Sequence, residues 1–234
     1  MIDICVADIN IRMHNRFSYI EAMCEGYTTK FEAADIEVET CDRDIAEEIK
    51  NTDLPTEPPY AEAACLHREI AEKLWKHDAF LLHSALIECD GVGYAFAARS
   101  GVGKSTHIGL WKRVFGERMR IVNGDKPIIR LTDDKVMAYG TPWNGKEGFG
   151  ENCGCQLRSV CFLERGSENR ICPIPSDEAV MRLFPQVYLP EHEQAATRTL
   201  ELLDSFVKEV SFFRLSCNME NEAAVVAHDA MSKA

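Results

Sequence analysis

Residues Tyr94 to Thr106 read Y-A-F-A-A-R-S-G-V-G-K-S-T: an apolar run, a loop of small residues, then Lys-Ser-Thr opening a helix. Strand, loop and helix in that order make a phosphate cradle. Backbone N–H groups around Gly101, Val102 and Gly103 converge on an anion, and the helix that follows turns the positive end of its dipole toward it. In such a loop Ser100 to Thr106 face the phosphates, Lys104 reaches the β- and γ-phosphates, and the Ser105 hydroxyl sits on Mg²⁺. The general pattern is G-x-x-x-x-G-K-[ST], and Ala98 stands where its first glycine belongs. The helix is expected from Lys104 to Phe115, stopped by Gly116.

Working outward, F-L-L-H-S-A-L-I-E (80–88) and Y-A-F-A-A (94–98) flank C-D-G-V-G, which predicts a β-hairpin whose second strand feeds the loop. In most doubly wound nucleotide-binding folds that strand arrives by a helical crossover and lies in a parallel sheet. A hairpin entry predicts a mixed sheet instead. After the helix, strands are expected at 118–123, 127–131 and 136–139, with a turn at 132–134. Residues 141–155, T-P-W-N-G-K-E-G-F-G-E-N-C-G-C, hold four glycines without a regular period, which marks a functional loop. Segments 157–163 and 169–174 read as a second hairpin around Glu-Arg-Gly. Helices at 177–184 and 194–210, a strand at 212–215 and a helix from Glu220 complete the chain.

Upstream, the helical period of Ala64, Leu66, Ile70, Leu74 and Trp75 predicts a packing helix over 61–76, with His67 and His77 at its surface or boundary. Residues 2–12 and 35–40 alternate apolar and polar and predict half-buried strands of an antiparallel sheet. Asp42 caps a short helix through Lys50, and N-T-D-L-P-T-E-P-P (51–59) links two parts. The expected organisation is a small acidic β-rich unit over residues 1–58 and an α/β (α+β) mixed-sheet P-loop domain over 59–234.

Composition narrows the function classes. The 234 residues carry a net charge of -12, which argues against nucleic-acid or anionic-membrane partners. The charge is uneven: residues 1–60 hold fourteen Asp or Glu against five Lys or Arg, whereas 99–130 hold eight basic residues against two acidic. The basic island surrounds the cradle, where bound phosphates need it. The ten cysteines come without a secretory leader, and no apolar run approaches the ~20 residues of a membrane span. The expectation is a cytosolic protein with reduced thiols, most of them small core residues. Cys153 and Cys155 are the single close pair and lack a second pair at zinc-site spacing.

Asp125 is the candidate carboxylate. It follows the apolar strand R-I-V-N-G-D and would emerge at a strand end beside the loop, as a Mg²⁺ ligand or general base. The lesser alternative for the same residues is an Asn-Gly-Asp turn without chemistry. Asn123 would share the metal or orient a water. His83 lies on the hairpin strand beside the loop, in reach of a phosphate, or is a buried histidine held by backbone groups. Lys146 either closes over the transferring phosphoryl group or stays solvated. His107 sits at a helix start that disfavours its charged form.

H-S-A-L-I-E-C-D-G-V-G-Y-A-F-A-A-R-S-G-V-G-K-S-T-H followed by V-N-G-D-K-P-I-I-R resembles the catalytic domain of HPr kinase/phosphorylase and, more distantly, ATP-dependent phosphoenolpyruvate carboxykinase. T-P-W-N-G-K-E-G, L-R-S-V-C-F-L-E-R-G-x-E-N and F-F-R-L-S-C-N-M resemble stand-alone HPr-kinase-like proteins, so the likeness spans about 61–232. It implies a mixed-sheet P-loop fold, ATP and Mg²⁺, and phosphoryl transfer to or from a serine hydroxyl. By position it implies phosphate binding by Gly101 to Thr106, metal at Ser105 and Asp125, Asp125 as base, and His83 beside the phosphates. HPr kinase has two adjacent aspartates where this chain has Gly124-Asp125, a departure that bears on the phosphorylase direction, and HPr itself is not the expected target. Three readings follow: a kinase acting on a hydroxyl of a peptide, protein or small metabolite; a nucleotide-binding accessory module with little turnover; and a carboxykinase-like enzyme, for which no His or Lys ligand set is evident.

Overall fold

The structure, a computed structural model, describes residues 1–52, 55–99, 101–133 and 135–233. Strands β1 (Ile2–Val6), β2 (Ile9–His14) and β3 (Ile36–Glu39) make a small sheet, with helix α1 (Tyr19–Met23) between the last two. The alternation at 2–12 resolves into a hairpin through Ala7 and Asp8. β3 then pairs with β2 in parallel, from Ile11 opposite Ile36 to His14 opposite Glu39. The expected all-antiparallel sheet is therefore corrected, because α1 returns the chain to the end from which β2 started. Helix α2 (Asp42–Asn51) begins after Cys41, whose N–H donates to Asp44 Oδ2 at 2.8 Å, so Asp44 and not Asp42 supplies the capping carboxylate.

Helix α3 (Pro58–Ala71) starts on two prolines, whose missing N–H groups cost nothing in the first turn. Its buried side, with Ala63, Leu66 and Ile70, shares one apolar core with β1–β3. Beyond it come β4 (Ala79–Leu81), β5 (Ser84–Cys89) and β6 (Val92–Ala97). The run expected as one strand thus breaks at Leu82–His83, and its first part pairs with a different neighbour. The β5–β6 hairpin turns through Asp90 and Gly91 at φ 52 and 80, the backbone that an Asp-Gly turn favours. Helix α4 runs Lys104–Phe115 and stops at Gly116 (φ 57), as expected. Then follow β7 (Met119–Asn123), β8 (Ile128–Thr132), β9 (Lys135–Tyr139), β10 (Gly154–Arg165), β11 (Arg170–Pro173), α5 (Ser176–Leu183), α6 (Glu193–Glu209), β12 (Ser211–Cys217) and α7 (Glu222–Met231).

Twelve-residue β10 joins two curved layers. Its start pairs antiparallel with β9, continuing β4-β8-β9, and its remainder lies parallel to β6 on one side and to β12 on the other. The second layer reads β7-β5-β6-β10-β12-β11, mixed as the hairpin entry predicts. β10 and β11 are not a hairpin: β12 lies between them, parallel to β10 and antiparallel to β11. Alternation within the hairpin then assigns the faces. Ala85, Ile87, Tyr94 and Phe96 pack under α4 and α7, whereas Leu86, Ala95 and Ala97 face the core closed by α5 and α6. All ten cysteines are free thiols, and no helix among the described residues is long and apolar enough to cross a membrane.

Candidate functional site

Antiparallel register places the site. Ser84 lies opposite Ala97 and Leu86 opposite Asn123, so the start of β5 meets the ends of β6 and β7 at one edge. His83 precedes β5, the phosphate-loop sequence follows β6, and Asp125 follows β7. Ser84 N–H donates to the Asp125 carbonyl at 2.9 Å, which fixes the turn against the hairpin. Three side chains predicted from the sequence are thereby gathered. Lys104 Nζ is 2.9 Å from His83 Nε2 and 3.9 Å from Asp125 Oδ1, and it donates to the Ala98 carbonyl at 3.3 Å. His83 Nε2 is also 3.1 Å from Asp125 Oδ1. One ring nitrogen cannot accept from the ammonium and donate to the carboxylate at once. With Nε2 unprotonated it accepts from Lys104, and with Nε2 protonated it donates to Asp125, so the tautomer decides which contact forms.

Burial and charge oppose each other here. Lys104 has its pKa lowered by burial, an effect that the charges of Asp125 and Glu147 partly reverse. For Asp125, burial pushes the carboxyl up, but the hydrogen bond from His83 and the charges of His83, Lys126 and Lys104 prevail and hold it below the usual range. A unit charge pair at this separation attracts by about 4 kcal/mol in a surface-like dielectric before desolvation is counted. It opposes the cost that burial sets on each charge.

The loop itself has the left-handed backbone of a cradle, with Gly101 at φ 78 and Gly103 at φ 123. Among the described residues nothing lies within 4 Å of the place where a Cβ on Gly101 would stand, so the loop is open on that side. The first helical bond of α4 runs from His107 N–H to the Gly103 carbonyl at 2.9 Å. The N–H groups of Lys104, Ser105 and Thr106 precede it and are left for an anion. Val102 N–H, expected to join them, donates instead to the Arg99 carbonyl at 3.2 Å. Arg165 binds the Gly101 and Val102 carbonyls from the far side. Ser100 lies outside the described residues. On that flank a cavity of about 520 Å³ opens between the loop and β12, lined by Val102, Thr106, Leu110, Leu163 and Met219 among others. A hollow of about 650 Å³ between Trp75 and α6 shares no residue with the loop.

Asn123 plays a different part from the two expected of it, sharing the metal or orienting a water. Fully buried, it accepts from Asp125 N–H at 2.9 Å and Lys126 N–H at 2.6 Å through Oδ1, while Nδ2 donates to the carbonyl and hydroxyl of Thr141 at 3.0 and 3.1 Å. It therefore shapes the turn that presents Asp125 and ties it to the glycine-rich segment. That segment covers the site. Gly124 N–H donates to the Phe149 carbonyl at 2.8 Å, and a Cβ on Gly124 would run into the Asn144 carbonyl. Gly145 abuts the other side: its Cβ would stand 3.2 Å from that of Asp125. Lys146, next to Gly145 in that segment, is exposed.

Two groups in the neighbourhood are not apparent from the sequence. The Lys126 charge acts on both Lys104 and Asp125, yet a lysine before proline in a turn reads as solvated. His67 is buried, not superficial: its ring packs against Trp143 with centroids 4.6 Å apart, and burial holds its pKa down at about 3. Trp143 Nε1–H in turn donates to the Ala63 carbonyl at 3.0 Å, so α3 anchors the glycine-rich segment. On a helix of regular period, nothing separates a buried from a bordering histidine.

No protein-family model matches the chain, and no curated protein does. Among solved structures, the HPr(Ser) kinase/phosphatase from Coxiella burnetii is similar over 65% of this chain and 97% of that one, at 9% identity and a TM-score of 0.36. With so slight an overlap, any functional reading stands on this chain's own geometry.

Proposed function

We propose that residues 59–234 form a Mg²⁺- and ATP-dependent phosphotransferase that moves the γ-phosphoryl group to a hydroxyl of a peptide, protein or small metabolite. The single observation that carries this reading is the convergence of Lys104, His83 and Asp125 at a left-handed glycine loop. The residues suit the ligands: a loop with room for phosphate oxygens, a partly desolvated ammonium, an ionised carboxylate and a hydroxyl at Ser105. The cavity beside the loop has the size of a nucleoside site. Mg²⁺ held by Ser105 and Asp125 would supply charge that offsets the polyphosphate.

Each side chain then has its own part. Lys104 leaves His83 and Asp125 and binds the β- and γ-phosphates, which stabilises charge that grows on the leaving oxygen. Asp125 orients the acceptor hydroxyl and receives its proton as the new oxygen–phosphorus bond forms and the bond to the β-phosphate oxygen breaks. A carboxylate held below its usual pKa is a weak base, which suffices where the transition state is loose and proton transfer is late. His83, released by Lys104, is free to donate to Asp125 or to a phosphate oxygen. Lys146 remains a candidate for closure over the phosphates.

One observation favours a binding module without turnover: Gly145 packs against Asp125 and narrows the approach of an acceptor to the carboxylate. Incubation with Mg-ATP and hydroxyl-bearing peptides or metabolites, followed by mass, separates the two. Transfer that Asp125→Asn abolishes while nucleotide binding survives supports the enzyme; tight binding with no transfer to any acceptor supports the module.

A further inference from the structure

The hairpin that presents His83 at one end carries a second cluster at the other. Cys89 ends β5, Asp90 follows in the turn at φ 52, and His228 reaches the same place from α7. A thiol sulfur, a carboxylate oxygen and an imidazole nitrogen lie within 4.8 Å of one another there. Asp90 Oδ2 is 3.8 Å from Cys89 Sγ and 3.8 Å from His228 Nε2. Tetrahedral bonds of about 2.3 Å to sulfur and about 2.0–2.1 Å to nitrogen or oxygen set ligand atoms roughly 3.3–3.7 Å apart. The two measured edges therefore need to contract by only a few tenths of an ångström.

The surroundings hold the ligand atoms in the required sense. His228 Nε2 points toward Asp90 Oδ2 at 3.8 Å, while Nδ1 lies 3.7 Å from Asp229 Oδ1. Arg118 donates to both oxygens of Asp90 at 3.0 and 2.6 Å, and each carboxylate oxygen keeps a second lone pair. Packing on Phe115, with ring centroids 4.7 Å apart, accounts for the burial of the His228 ring but not for the direction of its nitrogen.

We propose that Cys89, Asp90 and His228 form a site for one divalent transition-metal ion of the zinc type, completed by water on the exposed Asp90 side. Thiolate and imidazole select such ions over Mg²⁺ or Ca²⁺, which take oxygen ligands. The bound ion would fasten the last helix to the β5–β6 turn. It is independent of the nucleotide reading, because it shares no residue with Lys104, Ser105 or Asp125.

The test uses the full chain, stripped with a chelator and titrated with Co²⁺ and then Zn²⁺. One equivalent of Co²⁺ should produce thiolate-to-cobalt absorption in the near ultraviolet, Zn²⁺ should bleach it, and Zn²⁺ should raise the thermal midpoint. Cys89→Ser should abolish that absorption, His228→Gln should weaken binding at least about tenfold, and Cys172→Ser should change neither. If Cys89→Ser fails to fold, His228→Gln alone decides. Folded protein without thiolate absorption, or absorption and affinity unchanged in Cys89→Ser and His228→Gln, overturns the assignment. Cobalt at the nucleotide loop gives no thiolate band, so the two sites succeed or fail separately.

Discussion

Lys104 Nζ and Asp125 Oδ1 stand 3.9 Å apart, with Nε2 of His83 within 3.1 Å of both. Residues that are 21 positions apart or more in the chain meet because an antiparallel hairpin returns β5 to the edge where β6 and β7 end. A helical crossover in place of β5 would leave no position for His83 beside the loop.

Lys104→Met keeps the length of the side chain and removes the ammonium. Charge-assisted hydrogen bonds contribute about 1.5–3 kcal/mol each, so affinity for Mg-ATP should fall roughly 10- to 100-fold. Calorimetric titration reads this directly. Unchanged affinity would mean that the ammonium serves Asp125 alone and never meets a phosphate.

Asn123→Ala removes a buried amide that satisfies two backbone N–H groups and binds Thr141. The expected cost is about 2–4 kcal/mol of stability, from donors left buried without partners. Urea unfolding measures it. Asn123→Asp keeps the Oδ1 acceptor for the turn but buries a charge and sets its second oxygen against the Thr141 carbonyl, so at neutral pH it should also destabilise.

How much of this is legible in the sequence depends on the range of the signal. The D-G turn, the G-V-G-K-S-T loop and the stop at Gly116 act within a few residues, and the hairpin turn, the left-handed glycines and α4 all lie where those residues put them. Alternation at 35–40 tells that β3 is half buried, but not which way it runs beside β2. Glu-Arg-Gly looks like a hairpin turn because nothing local announces that β12, some forty residues later, takes the place beside β10. Asn123 points to the right neighbourhood and the wrong role, since an Asx turn and a metal ligand use the same residue type. Gly124 needs coordinates, because only the crossing Asn144 carbonyl shows why no side chain fits there.

Gly124→Ala tests that crossing. The added carbon would displace the Asn144 carbonyl and with it the segment that Trp143 and Thr141 anchor, at a cost of about 1–3 kcal/mol. Gly124→Asp should be at least as unfavourable, and it should not raise phosphoryl transfer even though it adds a second acid. A melting temperature equal to that of the parent would show that the segment yields freely.

His107 makes stability depend on acid pH. It is 2% exposed, its Nε2 accepts from Trp111 Nε1–H at 3.0 Å, and burial pushes its pKa down to about 4 from an ordinary 6.5. Between those values the unfolded chain binds a proton that the folded chain refuses, so stability falls as pH drops from about 6.5 toward 4. The slope is about 1.4 kcal/mol per pH unit per group. His67, held at about 3, adds the same slope and carries it lower. His107→Gln keeps an acceptor for Trp111 and removes one titrating site. Between pH 6 and 4.5 its unfolding free energy should therefore decline about 1.4 kcal/mol per unit less steeply than that of the parent. Parallel curves would mean that His107 already carries its proton in the folded protein, and the closed packing of its ring against Phe96 and Trp111 would need another explanation.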